Sequence, residues 1–195
     1  MEKEHTFFSL LMRMKYIRRW SLMRSASEEN VAEHSLQTAV IAHMLAIISN
    51  VYFEGKVDAG SLAAYALYHD AGEILTGDLP TPVKYYNEGI VSAYKELEQE
   101  AVERMLDRLP EPMRPAMGDI LRGPQDERLK RLLKAADKIS AYVKCLEEKA
   151  SGNRDFQVAE QTLKKTVERY YDLPEVKFFM EHFMESFSLT LDEYQ

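Results

Sequence analysis

Apolar residues recur every three or four positions along most of this chain, and the polar stretches between them carry residue types that start and stop helices. Residues 5–16 predict a first helix. Residues 25–29 form a loop, and Asn30 with Glu33 three positions later reads as a capping box. The helix it opens, 31–50, carries Ile41, Leu45 and Ile48 at helical spacing. Residues 52–56 form an aromatic loop ending near Gly55. Asp58 or Ser61 caps the next helix, which carries Leu62, Tyr65, Ala66 and Tyr68-His69 to about Leu75, with Gly77 as its stop. All seven prolines lie at or after Pro80. Asp78-Leu79-Pro80-Thr81-Pro82 is therefore expected to be non-helical, because each proline drives its predecessor out of the α region. Helices 90–109, 127–150 and 156–171 follow. Pro110, Pro112 and Pro115 break the stretch between the first two, and Pro174 opens a last helix towards Ser186. No segment sustains the period-two alternation of a strand, and no repeat or linker divides the chain. The expected fold class is all-α, one helical domain over 1–195.

Composition narrows the setting. A chain of 195 residues suits one domain with a real core. A hydrophobic share of 46% beside a charged share of 29% is that of a globular protein in water. No apolar run approaches a membrane span, and Met1-Glu2-Lys3-Glu4-His5 lacks the build of a signal peptide. Cys145 is the only cysteine, which excludes an internal disulfide and points to a reducing cytoplasm. A net charge of -7 argues against a nucleic-acid polymer as partner. Yet residues 5–27 hold no acid, while carrying Arg13, Lys15, Arg18, Arg19 and Arg24. This local basic segment can take a small anion; on composition alone, a solvated basic helix end describes it better.

The candidate chemistry lies in His34, His69-Asp70 and Asp137. Two neutral imidazoles and two carboxylates can hold one divalent cation and leave positions open for water and phosphate, the chemistry of metal-assisted hydrolysis. On a continuous helix, Glu73 would share a face with His69 and Asp70. Taken singly, each has a plainer explanation: a His-Asp hydrogen bond at a helix end, a buried histidine, or an aspartate paired with Lys134 or Lys138. His43 has only the plain explanation. The order is more informative. Histidine, then His-Asp, then a lone aspartate on three separate helices resembles the H…HD…D signature of the HD-domain metallohydrolases. Between Asp70 and Asp137 there is no histidine, so the chain resembles the mononuclear hydrolase branch rather than the two-metal one.

A narrower resemblance is carried by Arg19-Trp20-Ser21-Leu22-Met23-Arg24, by Glu29-Asn30-Val31-Ala32-Glu33-His34-Ser35, and by the run from Tyr68-His69-Asp70-Ala71-Gly72-Glu73 through Asp78-Leu79-Pro80-Thr81-Pro82 to Tyr85. These are similar to the bacterial 5'-deoxynucleotidases of the YfbR type, although Ser21 stands where that family's pattern has a proline. The resemblance implies an HD domain with its metal-binding core at about 30–140, and hydrolysis of deoxyribonucleoside 5'-monophosphates to deoxynucleoside and phosphate. It implies a homodimer and one divalent ion, with cobalt, manganese or copper supporting activity. The implied metal ligands are His34, His69, Asp70 and Asp137. Glu73 and Arg19 are the implied catalytic residues. Substrate contacts are implied for Arg19, Trp20, His34, Asp70, Asp78, Leu79, Pro80, Thr81 and Asp137.

The residue types suit those roles. Arginine presents a planar fork to a phosphate. Trp20 offers a flat face to a sugar or base, or else a core anchor for its loop. Two prolines stiffen the 78–81 segment, with or without a ligand. The competing functions are another HD-type nucleotide phosphohydrolase or phosphodiesterase, and a nucleotide-binding protein without catalysis.

Overall fold

In the computed structural model, which describes residues 5–194, four helices start on side-chain caps, at Asn30, Asp58, Asn87 and Asp126. The polar Met1–Glu4 segment lies outside the described residues. After α1 (Phe7–Leu11), which continues as a tighter 3-10 turn to Tyr16, an irregular loop turns back to the cap of α2 (Val31–Tyr52). There Asn30 Oδ1 accepts from the Glu33 amide at 3.1 Å, and the Glu33 carboxylate accepts from the Asn30 amide at 3.3 Å. Asp58, not Ser61, caps α3 (Ala59–Tyr68), accepting from the Ser61 amide at 3.1 Å and its hydroxyl at 2.7 Å. Two single-turn helices follow, α4 (Glu73–Thr76) and α5 (Thr81–Lys84). Asn87 caps α6 (Glu88–Leu106); α7 (Arg114–Leu121) comes next, and Asp126 caps α8 (Glu127–Ala150). α9 (Gln157–Glu168) and α10 (Pro174–His182) complete the bundle, before two short 3-10 turns. Among the described residues there is no strand, only an isolated antiparallel bridge between Arg18 and Asn30.

Four expectations are corrected. The helix expected to reach Leu75 stops at Tyr68, and residues 69–72 turn before α4 begins. The 78–82 segment is not wholly non-helical. Thr81 and Pro82 form the first turn of α5, where a missing proline N–H has no partner to lose. Pro115 likewise stands in the first turn of α7 rather than ending a helix. α2 is long and apolar enough, by length and composition, to cross a membrane, but the bundle packs it as a central helix.

Two apolar clusters share the interior. The larger joins Ile41, Leu45 and Ile48 of α2 to Leu62 and Ala66 of α3, Leu132, Ala136 and Ile139 of α8, and Val176 and Phe179 of α10. The smaller joins Phe7 and Leu11 to Met105, Leu106, Leu109 and Leu121, with Val31 and Ala71. His34 follows Val31 by one turn, and Asp70 falls between Ala66 and Ala71. The polar centre thus sits at the seam of the two clusters.

Candidate active site

His34 enters from the first turn of α2, His69 and Asp70 from the turn that ends α3, and Asp137 from the middle of α8. His34 is fully buried, and the side chains of His69, Asp70 and Asp137 are about one-fifth exposed or less. Donor atoms of His34, His69 and Asp70 lie within 4.8 Å of one another. Asp137 joins them through Oδ1, which is 3.0 Å from His34 Nε2 and 3.9 Å from His69 Nε2. Its Oδ2 accepts from Lys138 Nζ at 2.8 Å. The lysine pairing and the histidine cluster, alternatives in the sequence, coexist on the two oxygens of one carboxylate.

Hydrogen bonds at the far sides of both rings fix what faces inward. His69 Nδ1 donates to the Ala66 carbonyl at 2.7 Å. Ser140 Oγ lies 3.2 Å from His34 Nδ1 and 3.3 Å from Gln37 Oε1, and so holds the outer side of the His34 ring. In a neutral His69 ring the Ala66 bond leaves the Nε2 lone pair facing inward, while His34 Nε2, 3.0 Å from Asp137 Oδ1, shares a proton with that carboxylate until a cation takes its place. His69 Nε2 is buried and has no aligned hydrogen-bond partner, although Asp70 Oδ2 is 3.1 Å away. Two imidazole nitrogens and the Asp70 carboxylate cluster together, with Asp137 Oδ1 on the histidine side, and such a set favours a positive charge between them. Burial alone would lower the His69 pKa; the Asp70 and Asp137 carboxylates reverse this and raise it to about 9. Burial likewise opposes ionisation of Asp70 and Asp137, but His69, Arg19 and His34 hold Asp70 low, and Lys138 with the histidines holds Asp137 well below the carboxylate range. Two nitrogen and two oxygen donors, one an orphaned buried nitrogen, fit a borderline divalent cation.

Arg19 is placed from the other side. Its amide donates to the Glu29 carbonyl at 2.9 Å, and its Nη1 lies 3.4 Å from Asp70 Oδ2. Burial disfavours its charge, yet Asp70, Glu29 and Asp137 outweigh that and hold the guanidinium firmly protonated. Glu73 does not reach the site along a continuous helix. The 69–72 turn brings it there instead, where it is buried with Oε2 unpartnered. Burial, then Asp70 and Asp78, push its carboxyl up to about 10, against Arg19 and Lys84. Asp78 is raised as well, by burial first and by Asp70, while Arg19 lowers it. Leu79 and Pro80 are half-buried, and Thr81 is exposed. A cleft of about 860 Å³ opens beside His69, Asp70 and Glu73, lined also by Lys84 and Glu98, which pair at 2.9 Å.

A family described as 5'-deoxynucleotidase YfbR-like matches residues 6–187. The chain belongs to that family. The 5'-deoxynucleotidase of Vibrio atlanticus is 47% identical over 192 residues, covering 98% of each chain. The 5'-deoxynucleotidase YfbR of Escherichia coli is 48% identical, covering 98% of this chain and 96% of the relative. Among solved structures, an HD-domain phosphohydrolase from Listeria innocua superposes with a TM-score of 0.83 at 24% identity, over 94% of this chain and 88% of that one. An HD phosphohydrolase of cyanophage S-2L, solved with dA and one catalytic zinc ion, gives 0.69 at 18% identity, over 91% of this chain and 96% of that one. Both likenesses establish the HD fold, so this member of the YfbR-like family is an all-α HD-domain protein.

The sequence did not single out three supporting residues. Ser140 and Gln37 orient His34, and nothing in their spacing marks them. Glu29 holds Arg19 and Trp20, and a signal existed: Glu28 and Glu29 are the first acids after the acid-free basic segment. In the fold Glu28 pairs with Arg18 at 3.0 Å and Glu29 with Arg19 at 2.9 Å.

Proposed function

We propose that the protein hydrolyses deoxyribonucleoside 5'-monophosphates to deoxynucleoside and phosphate, with His34, His69, Asp70 and Asp137 holding one divalent cation. The observation that carries this reading is the cluster of the His34 and His69 Nε2 atoms with the Asp70 and Asp137 carboxylates beside a buried arginine. Its other support is membership of the YfbR-like family. The bound cation supplies Lewis-acid polarisation and a lowered pKa for water. Cobalt, manganese or copper are the ions the resemblance implies; the donor set suits zinc as well.

The chain's own groups do the rest. Arg19 presents its Nη1 end toward the phosphoryl oxygens and balances their charge as phosphorus is attacked in line. Glu73, buried with Oε2 free and its carboxyl kept protonated by burial, gives its proton to the departing 5'-oxygen and takes one from the attacking water in return. As the new P–O bond forms, the P–O5' bond breaks. Asp78, with Leu79, Pro80 and Thr81, forms the wall on which the nucleoside rests. Trp20 faces the sugar and leaves a 2'-hydroxyl without a partner, at a cost of about 1–3 kcal/mol, which gives roughly ten- to hundredfold preference for deoxyribose.

A homodimer is part of the reading. Leu36, Val40, Met44, Ile47 and Val51 form an exposed apolar stripe along one face of α2, the kind of patch a second copy covers. The cytoplasmic setting rests on Cys145, which is buried and free. The test is phosphate release from matched ribo- and deoxynucleotides at each phosphate number, with cyclic nucleotides as further substrates, in chelator and with each metal. Release confined to deoxynucleoside monophosphates and abolished by chelator is expected. Turnover only of triphosphates, or of cyclic nucleotides to monophosphates as read by product chromatography, would overturn the assignment.

A further inference from the structure

We propose that Glu29 is a positioning residue for this site: one buried carboxylate oxygen sets both the guanidinium of Arg19 and the indole of Trp20. The inference rests on the reading of those two side chains as substrate contacts. Glu29 is 6% exposed. Its Oε2 accepts from Arg19 Nε at 2.9 Å and from Trp20 Nε1 at 2.8 Å. The backbone repeats the tie, since the Glu29 carbonyl accepts from the Arg19 amide at 2.9 Å and the Val31 amide donates to the Ile17 carbonyl at 2.9 Å. Glu29 is therefore fixed to the segment it orients and, through Asn30, to the start of the helix that carries His34.

Both substrate-facing groups need such a restraint. Trp20 has φ 57°, a left-handed conformation that a bulky residue adopts only when its surroundings demand it. Its ring packs against Phe156 at 5.1 Å between centroids, tilted by 56°. The indole N–H on Glu29 and the Phe156 contact together fix the plane of the ring. Arg19 uses Nε on Glu29, which leaves its Nη1 end directed at Asp70. A charge-assisted bond at Nε fixes the plane of the fork before a phosphate arrives. The neighbouring pair Arg18–Glu28 is about 70% exposed on both sides, and it orients nothing.

Trp20 is the only tryptophan, so its fluorescence reports this contact directly. The experiment compares Glu29→Gln with Glu28→Gln in the full chain. In Glu29→Gln, without metal or nucleotide, the emission maximum should shift and acrylamide quenching should rise. With metal, KM for a deoxynucleoside monophosphate should rise roughly tenfold and the deoxy-over-ribo ratio of kcat/KM should fall by a similar factor. Metal affinity by calorimetry should stay at the wild-type value, and Glu28→Gln should match wild type throughout. Wild-type emission and wild-type discrimination in Glu29→Gln would overturn the proposal. So would a fall in melting temperature accompanied by weaker metal binding at unchanged discrimination, since that is a purely structural role. Trp20→Phe separates the two readings. Discrimination lost in Trp20→Phe but kept in Glu29→Gln defeats the positioning role alone; discrimination kept in Trp20→Phe defeats the sugar-contact reading, and the emission of Glu29→Gln still decides what Glu29 holds.

Discussion

At the scale of single residues, the site sets two side chains against each other in stability and use. Glu73 is buried with an unpartnered oxygen, a costly arrangement in a core and a useful one beside a reacting water. Glu73→Gln should lower kcat by roughly a hundredfold or more while KM changes little and the melting temperature holds or rises. Single-turnover phosphate release and a thermal melt check both parts; near-normal kcat removes Glu73 from the mechanism. Arg19 differs, because its value lies in the geometry of the fork. Arg19→Lys keeps the charge but cannot hold Glu29 through Nε and reach the phosphoryl group at once. Its kcat/KM should fall roughly tenfold or more, with metal affinity by calorimetry little changed.

At the scale of elements, the 18–30 segment is held in place by a buried ion pair on α8. Glu148 accepts from the Ala26 amide at 2.7 Å, the Ser27 amide at 3.1 Å, Asn153 Nδ2 at 2.6 Å and Lys144 Nζ at 2.6 Å. Lys144 also donates to the Ser27 carbonyl. Burial would raise the Glu148 pKa, but these donors reverse it, to about 2 from an ordinary 4.5. A folded value below the unfolded one means that the stabilisation is fully present above about pH 4.5 and is lost as pH falls towards about 2. Wild type should lose melting temperature across that window more steeply than Glu148→Gln, which lacks the titrating group. Glu148→Ala, which strands Lys144, should cost about 3–5 kcal/mol in a denaturant melt. At the neighbouring α2 start, Asn30→Ala should cost about 1 kcal/mol. It should also weaken metal binding, because His34 lies in the turn that this cap holds.

At the scale of the molecule, α2 serves three surroundings. One side joins the larger core, its N-terminal turn supplies His34, and the stripe from Leu36 to Val51 is left exposed. The proposed second copy would cover that stripe on a helix that is apolar on nearly every side. Sedimentation should show a dimer for wild type and a monomer for Val40→Glu combined with Ile47→Glu, with helical content unchanged. A wild-type monomer at micromolar concentration would remove the dimer from the reading.

The sequence by itself determined the elements that local chemistry controls. Asn30 with Glu33 and Asp58 announced their helices because a cap is a bond between residues three apart. The all-α class followed from apolar periodicity, and the metal-ligand candidates from the order His34, His69-Asp70, Asp137. Only the tertiary structure decided how these meet. The break after Tyr68 has no proline or glycine at its start, and it arises where the chain must bring Asp70 and Glu73 to the seam between two apolar clusters. The ring orientations of His34 and His69 depend on Ser140, Asp137 and the Ala66 carbonyl. Glu29, read as the end of a loop, became the anchor of Arg19 and Trp20 only when residues 18–20 folded back along 28–30. Periodicity and capping act over a few residues and are written locally. Charge compensation in a buried site acts across the fold, and no residue declares its partner until the packing brings it there.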